Sequence, residues 1–285
     1  MSIQYRVSSI QNPASGINNS LELFRKAFII KGVYLIKEIF CVCKDKREEK
    51  KMTQASVTRS QTDVLVNDFV RSVYNWMAIG LCLTGFVAYY VSNNEAMRNL
   101  VFGNSMIFFV LILAELGMVF AIAGMINKMS AGTATSLFVI YAALNGVTLS
   151  FIFLVYTQSS IVNTFFICAG TFIACSIYGW VTKRDLTSIG GFLMMGLIGI
   201  IIASLVNMFI RSGAMNMIIS YIGVIVFVGL TAYDTQKLKN MALTQPAGTD
   251  GAVVRKGAIL GALSLYLDFI NLFLMLLRIF GTARD

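Results

Sequence analysis

Two aspartates stand where a membrane-spanning helix ordinarily carries none. Residues 228–236 read VGLTAYDTQ, with Asp234 near the end of an apolar run, and residues 264–278 read SLYLDFINLFLMLLR, with Asp268 inside another. At helical spacing Ser264, Asp268, Asn271, Met275 and Arg278 fall at i, i+4, i+7, i+11 and i+14, so one narrow stripe gathers the polar groups and a thioether. Burying a charged side chain at the bilayer centre costs about 3 kcal/mol even on insertion scales, so such residues face a bundle interior or a wet cavity and mark an ion or proton path. Asp234 and Asp268 are therefore the functional centre that the sequence offers. Their oxygens suit a hard cation such as Ca²⁺, and two carboxyls brought together titrate as a coupled pair that shares a proton. The same pair would also serve an aspartyl protease, and the sequence alone does not put the two in contact.

Other polar residues lie inside apolar runs. Glu115 stands halfway through one, and Arg278 closes the last. A carboxylate and a guanidinium inside one bundle are each costly alone, so a Glu115–Arg278 ion pair is the economical arrangement, as a structural tie or as part of a path. Tyr141, Asn145 and Thr148, at i, i+4 and i+7, form a polar face that would line the same interior with Ser264 and Asn271, or would simply hold helices together.

These residues need a scaffold, and composition defines it. With 57% hydrophobic residues, 13% charged and a mean hydropathy of +0.74, the chain is an integral membrane protein. It has no histidine, which excludes histidine-based zinc sites, haem ligation and histidine general bases. Its cysteines, Cys41, Cys43, Cys82, Cys168 and Cys175, show neither metal nor disulfide spacing. The formal charge of +9 does not indicate nucleic acid: ten of the 23 basic residues precede Met52, and the rest are scattered over short loops without interleaved aromatics.

Seven apolar runs have spanning length: 74–91, 104–126, 134–156, 161–181, 189–209, 217–236 and 257–281. An all-α bundle of seven transmembrane helices over residues 74–285 follows, with 52–73 as a lead-in. The connections are short apart from 237–256. Nine basic residues after position 51 fall on the side of the amino terminus and four on the other, which places the amino terminus and the long loop in the cytoplasm and the carboxyl end outside. Residues 1–51 are basic and too interrupted by charge to span. They read either as a surface-lying helix or as an untranslated extension ahead of a start at Met52. Gly257 and Gly261 form a GxxxG pair, and Gly190, Gly191, Gly196 and Gly199 crowd the fifth span. Packing within one chain is the simpler reading, so a monomer is expected.

The segments 73–81 (VYNWMAIGL), 141–150 (YAALNGVTLS), 178–186 (YGWVTKRDL), 196–199 (GLIG) through Asn207, and 232–236 (AYDTQ) occur in order across about three quarters of the chain. In these the chain resembles the Bax inhibitor-1 family of membrane proteins, bacterial branch. The resemblance implies a bundle with the last helix at its centre, and a pH-sensitive calcium leak governed by an aspartate pair matching Asp234 and Asp268. It implies a membrane glutamate and late-helix arginine matching Glu115 and Arg278, and a basic residue that latches the aspartates, for which Lys128 is the nearest match. The long sixth loop and residues 1–51 depart from the pattern.

The function expected is thus a proton-regulated calcium leak in the bacterial inner membrane. Lipid, Ca²⁺ and protons are its partners; no cofactor and no nucleic acid enter. The rival from another class is a non-transporting scaffold that regulates protein turnover or cell survival through other membrane proteins. An intramembrane aspartyl protease is disfavoured because neither Gly-x-Gly-Asp around Asp268 nor a Pro-Ala-Leu segment is present. A retinal protein would need a lysine within the last span, whose only lysine, Lys256, sits at its mouth.

Overall fold

Backbone in hydrocarbon must satisfy its own hydrogen bonds, and the apolar runs can do so because proline occurs only at positions 13 and 246, outside all of them. The structure, a computed structural model, describes residues 59–244 and 249–284. The expectations for residues 1–51 and for a start at Met52 lie outside the described residues. Within them the chain forms α1 (Arg59–Asn93), α2 (Glu95–Phe102), α3 (Ser105–Met125), α4 (Ala131–Leu149), α5 (Ile152–Val155), α6 (Gln158–Val181), α7 (Thr187–Ile210), α8 (Gly213–Thr244) and α9 (Gly251–Phe280). Seven stretches are long and apolar enough to cross a membrane, α4 and α5 together making the third. Polar residues start the helices: the side chains of Asn94, Asn104, Ser130 and Asp250 accept from Met97, Met106, Thr133 and Ala252 amides. Hydroxyls inside the spans, such as those of Thr231 and Thr235, donate to carbonyls one turn earlier, which hides them from lipid.

The last helix is the axis. Its apolar window is 89% buried, against 28–56% for the other six spans, and α1, α4, α6 and α8 pack around it. The outer helices turn Phe86, Phe109, Phe166, Phe192, Phe209 and Ile225 outward. A continuous apolar exterior of this kind suits lipid, not water. Close approach depends on glycine where backbones meet: a Cβ at Gly146 would strike the Thr84 carbonyl, and one at Gly179 the Ala232 carbonyl. Gly261 lies against Leu238 and Val73, so that half of the GxxxG pair is occupied within the chain, while Gly191 and Gly199 have open space before them.

Three details differ from the sequence reading. The third span is one run by composition but two helices in fact, because Ser150 directs both its amide and its hydroxyl to the Val147 carbonyl, a three-residue closure that ends α4. An extra amphipathic helix, α2, fills the connection between the first two spans. The long connection expected over 237–256 is largely helical, since α8 runs on to Thr244 and α9 begins at Gly251; Lys237, Lys239, Arg255 and Lys256 thus stand on helices. Their long apolar stems let them extend a helix past the hydrocarbon without breaking it.

Candidate functional site

Contacts between α8 and α9 run in opposite order along the two helices: Leu238 meets Gly261, Ser264 meets Asp234, and Met275 meets Gly223. The pair is therefore antiparallel, and this register carries Asp234 to the level of Ser264 and Asp268, one turn apart on α9. Ser264 Oγ donates to Asp234 Oδ2 at 2.8 Å. The two carboxyls are near enough for each to act on the other. Asp268 is 0% exposed and Asp234 2% exposed. Among the described residues no donor reaches Asp234 Oδ1 or either oxygen of Asp268. One hydroxyl thus serves a pair of carboxyls, too little to stabilise two buried anions side by side.

Among the described residues Lys237, half-buried on α8 one turn beyond Asp234, is a cation whose charge bears on both carboxyls. Lys128 is exposed in the turn after α3. Its neighbour Asn127 accepts from Lys256 Nζ at 3.4 Å, which brings that turn to the start of α9.

Toward the other end of α9 the stripe continues through Asn271, buried, and Met275, fully buried against Gly223. A Cβ at Gly223 would come 2.8 Å from Met275 Sδ, so the thioether packs directly against α8 at that glycine. Beyond it Arg278 lines a cavity of about 290 Å³ together with Phe151, Asn216 and Ser220. Along α9 the stripe thus runs from the carboxyls, past Met275, to the cavity that Arg278 lines.

The remaining polar residues form a second cluster around Tyr266, which is two positions from both Ser264 and Asp268 and so points to a different side of α9. Its hydroxyl lies 2.7 Å from Thr84 Oγ1 and accepts from Asn145 Nδ2 at 2.6 Å. Tyr141 packs edge-on to Tyr266 with centroids 5.8 Å apart. Thr148 donates to Glu115, which is fully buried and close enough for its charge to act on Tyr141 and Tyr266. Tyr141, Asn145, Thr148 and Glu115 therefore gather with one another, and Ser264 with the aspartates. Thr84 and Tyr266 escaped the sequence reading; the available signal was a phenol two residues from Asp268 in a helix without other reason to be polar.

A third contact set joins two of the sequence motifs. Gln236 accepts from the Leu186 amide at 2.8 Å and donates to the Arg184 carbonyl at 2.8 Å. Lys239 donates to the Trp180 carbonyl at 2.7 Å and lies 5.3 Å from the Trp180 ring centroid. Tyr233 lies against Gly190, where a Cβ would come within 2.5 Å of its ring. Segments 178–186 and 232–236 are thus halves of one clamp that fixes the depth of Asp234. Among the described residues no three Cys, Asp or Glu side chains gather to hold a metal, and Cys82, Cys168 and Cys175 are free thiols.

Residues 66–285 match the family described as inhibitor of apoptosis-promoting Bax1. The inner membrane protein YbhL of Escherichia coli K12 is 56% identical over 216 residues, 76% of this chain and 92% of that protein. An uncharacterized protein of Borreliella burgdorferi is 49% identical over 230 residues, 80% of this chain and 98% of its own length. An uncharacterized membrane protein of Streptococcus pyogenes serotype M3 is 41% identical over 227 residues, 79% of this chain and 97% of its own.

Proposed function

The chain belongs to the Bax inhibitor-1 family, and on that premise we propose that it is a proton-regulated calcium leak of the bacterial inner membrane, with its amino terminus in the cytoplasm. The observation that carries this reading is the Asp234–Asp268 contact. A pair of fully buried carboxyls, with the Ser264 hydroxyl as donor, is most stable when it holds one shared proton. Loss of that proton leaves neighbouring anions, which separate or recruit a cation. Ca²⁺ takes six to eight oxygens in general; Asp234, Asp268 and the hydroxyl of Ser264 supply a few, and water the remainder, which favours transit over storage. The chemistry is binding and passage with no bond broken, so no catalytic residue is assigned. Protons and Ca²⁺ compete for the same oxygens, and Glu115 with Arg278, Lys237 or Lys128, and the polar residues Asn271, Tyr141, Asn145 and Thr148 set how the helices respond.

The test is Ca²⁺ flux through purified full-length protein in liposomes as a function of pH. Flux above protein-free vesicles that changes with pH is expected. Flux indistinguishable from empty vesicles at every pH refutes the leak and leaves a non-transporting scaffold.

A further inference from the structure

We propose that the end of the bundle where α1, α2, α6 and the carboxyl-terminal tail converge is a binding site for a phosphate oxyanion, the group that a phospholipid headgroup presents. A cavity of about 410 Å³ opens there, and Tyr89, Ser92, Asn93, Arg98, Thr157 and Arg284 line it. Among the described residues no acidic side chain does. This inference is independent of the proposed leak, because the cavity shares no residue with the aspartate pair or with Tyr266.

The arginines come from separate parts of the chain, and the fold holds each in place. Arg98 is on α2, which Asn94 caps by accepting from the Met97 amide. Arg284 is on the tail, which backbone bonds tie down: Thr157 donates to Thr282 at 3.0 Å, Arg284 donates to Val155 at 2.8 Å, and Tyr156 pairs antiparallel with Ala283. Without these bonds the tail would have no reason to stay over the cavity. Arg284 Nη1 makes one long bond, 3.4 Å, to the Phe153 carbonyl, so most of its donors point elsewhere. Glu95, one turn before Arg98, is exposed and is not among the lining residues. Ser92 and Asn93 already donate to the Tyr89 carbonyl at 2.8 Å each, so the positive charge of the site comes from the guanidinia. The Thr157 hydroxyl makes no capping bond to α6 and receives only a 3.5 Å contact from Ser159, which leaves its proton available.

Arginines that line one cavity repel one another, and a tetrahedral oxyanion accepts bidentate bonds from both. The position is also unusual for topology alone. Basic residues are sparse at this end, and half of those described, Arg98 and Arg284 as against Arg211 and Arg278, line this one cavity. The surround favours a lipid as the source of the phosphate: Tyr90, Met97 and Leu100 are 54%, 41% and 55% exposed beside it, an aromatic and aliphatic rim for acyl chains.

The experiment titrates the purified full-length chain in detergent with short-chain phosphatidylglycerol, and separately with inorganic phosphate, following the melting temperature. Saturable stabilisation by phosphatidylglycerol is expected, with affinity falling about tenfold or more in Arg98→Gln and in Arg284→Gln, the loss of a charge-assisted pair. Stabilisation by the lipid alone identifies a headgroup site; equal stabilisation by inorganic phosphate with the same arginine dependence identifies a soluble phosphate. Arg98→Lys, which keeps the charge without the fork, should fall between wild type and Arg98→Gln, and it reports on the site should a glutamine variant misfold. Absence of saturable binding by either probe, or binding unchanged in the folded glutamine variants, overturns the proposal.

Discussion

Removing one oxygen at Tyr266 should loosen the central helix without emptying its core. Thr84 Oγ1 donates to the Ala142 carbonyl at 2.8 Å, which spends its only proton, so the 2.7 Å contact with Tyr266 has the phenol as donor. The same phenol oxygen accepts from Asn145 at 2.6 Å. Tyr266→Phe therefore cuts both bonds, one tying α9 to α1 and one tying it to α4. Bonds of this kind in membrane proteins contribute about 0.6 kcal/mol on average and up to about 1.7. A buried donor left without a partner costs about 1–3 kcal/mol. The expected loss is thus about 1–3 kcal/mol. The ring stays, so its edge contacts with Phe138 at 5.9 Å and Tyr141 at 5.8 Å persist, and the larger cost of a true cavity, about 3–5 kcal/mol for an aromatic cut to alanine, is avoided. Reversible unfolding in mixed micelles measures it, and combination with Asn145→Leu should recover part of the loss, with a coupling of at least about 0.5 kcal/mol. A Tyr266→Phe protein as stable as wild type within about 0.3 kcal/mol would refute the hydroxyl's role in holding α9.

In the proposed leak Asp234→Asn or Asp268→Asn leaves a single carboxyl in place of the pair, so the pH profile of liposomal Ca²⁺ flux should flatten or move, while Asp250→Asn at the start of α9 leaves it in place; unchanged profiles in both span variants would reject the pair as the sensor. Glu115→Gln should destabilise strongly if Glu115 and Arg278 pair, since removing one partner of a buried pair costs about 3–5 kcal/mol, and Arg278→Met added to it should recover part of the loss; strict additivity in thermal unfolding would exclude the contact. Asp185 is a surface case with a definite sign. Its carboxylate accepts from the Thr187 amide at 2.9 Å and hydroxyl at 2.5 Å, which holds its pKa below the usual carboxylate range. A depressed folded value gives stability that is present above the unfolded value and lost as pH falls through the folded one. Asp185→Asn should therefore lower the melting temperature slightly at neutral pH and lose that difference in acid; a difference that grows in acid would contradict this.

The aspartates were legible because lipid makes charge conspicuous: Asp234 and Asp268 are visible against apolar neighbours without any structure. Their meeting was not. It depends on the antiparallel register of α8 and α9, which is set by small gaps such as Gly223 opposite Met275 and Gly261 opposite Leu238, and a glycine in a span does not announce its partner. Span number was legible from apolar length, but helix ends were not, because Lys237, Lys239, Arg255 and Lys256 look like loop residues and behave as helix residues whose stems are apolar. Lys237 was hidden for the same reason: counted as a loop charge, it is the cation nearest in effect to the pair. The motif 178–186 was visible as a pattern, but its purpose, holding Gln236 and Lys239, is a set of contacts across 50 to 59 residues.

The arrangement around α9 bears on how a proton would move a helix. On one side α9 is held by the phenol of Tyr266, whose partners are neutral and indifferent to pH in the ordinary range. On another side, in the proposed leak, it is held through the Asp234–Asp268 pair, which would attract while it shares a proton and repel once both carboxyls are ionised. Both attachments lie within one turn of each other along the helix, so separation at Asp234 and Asp268 would act close to a fixed point, which favours rotation of α9 over sliding. Met275 lies about two turns further on, packed against Gly223, so a rotation of α9 would carry its thioether across that glycine. In the proposed leak the phenol therefore serves as the pivot, the carboxyls as the lever and the thioether as the part that moves. That division makes Tyr266→Phe a kinetic test as well as a thermodynamic one: with the pivot weakened, the same change of pH should displace Met275 less reproducibly and the flux profile should broaden.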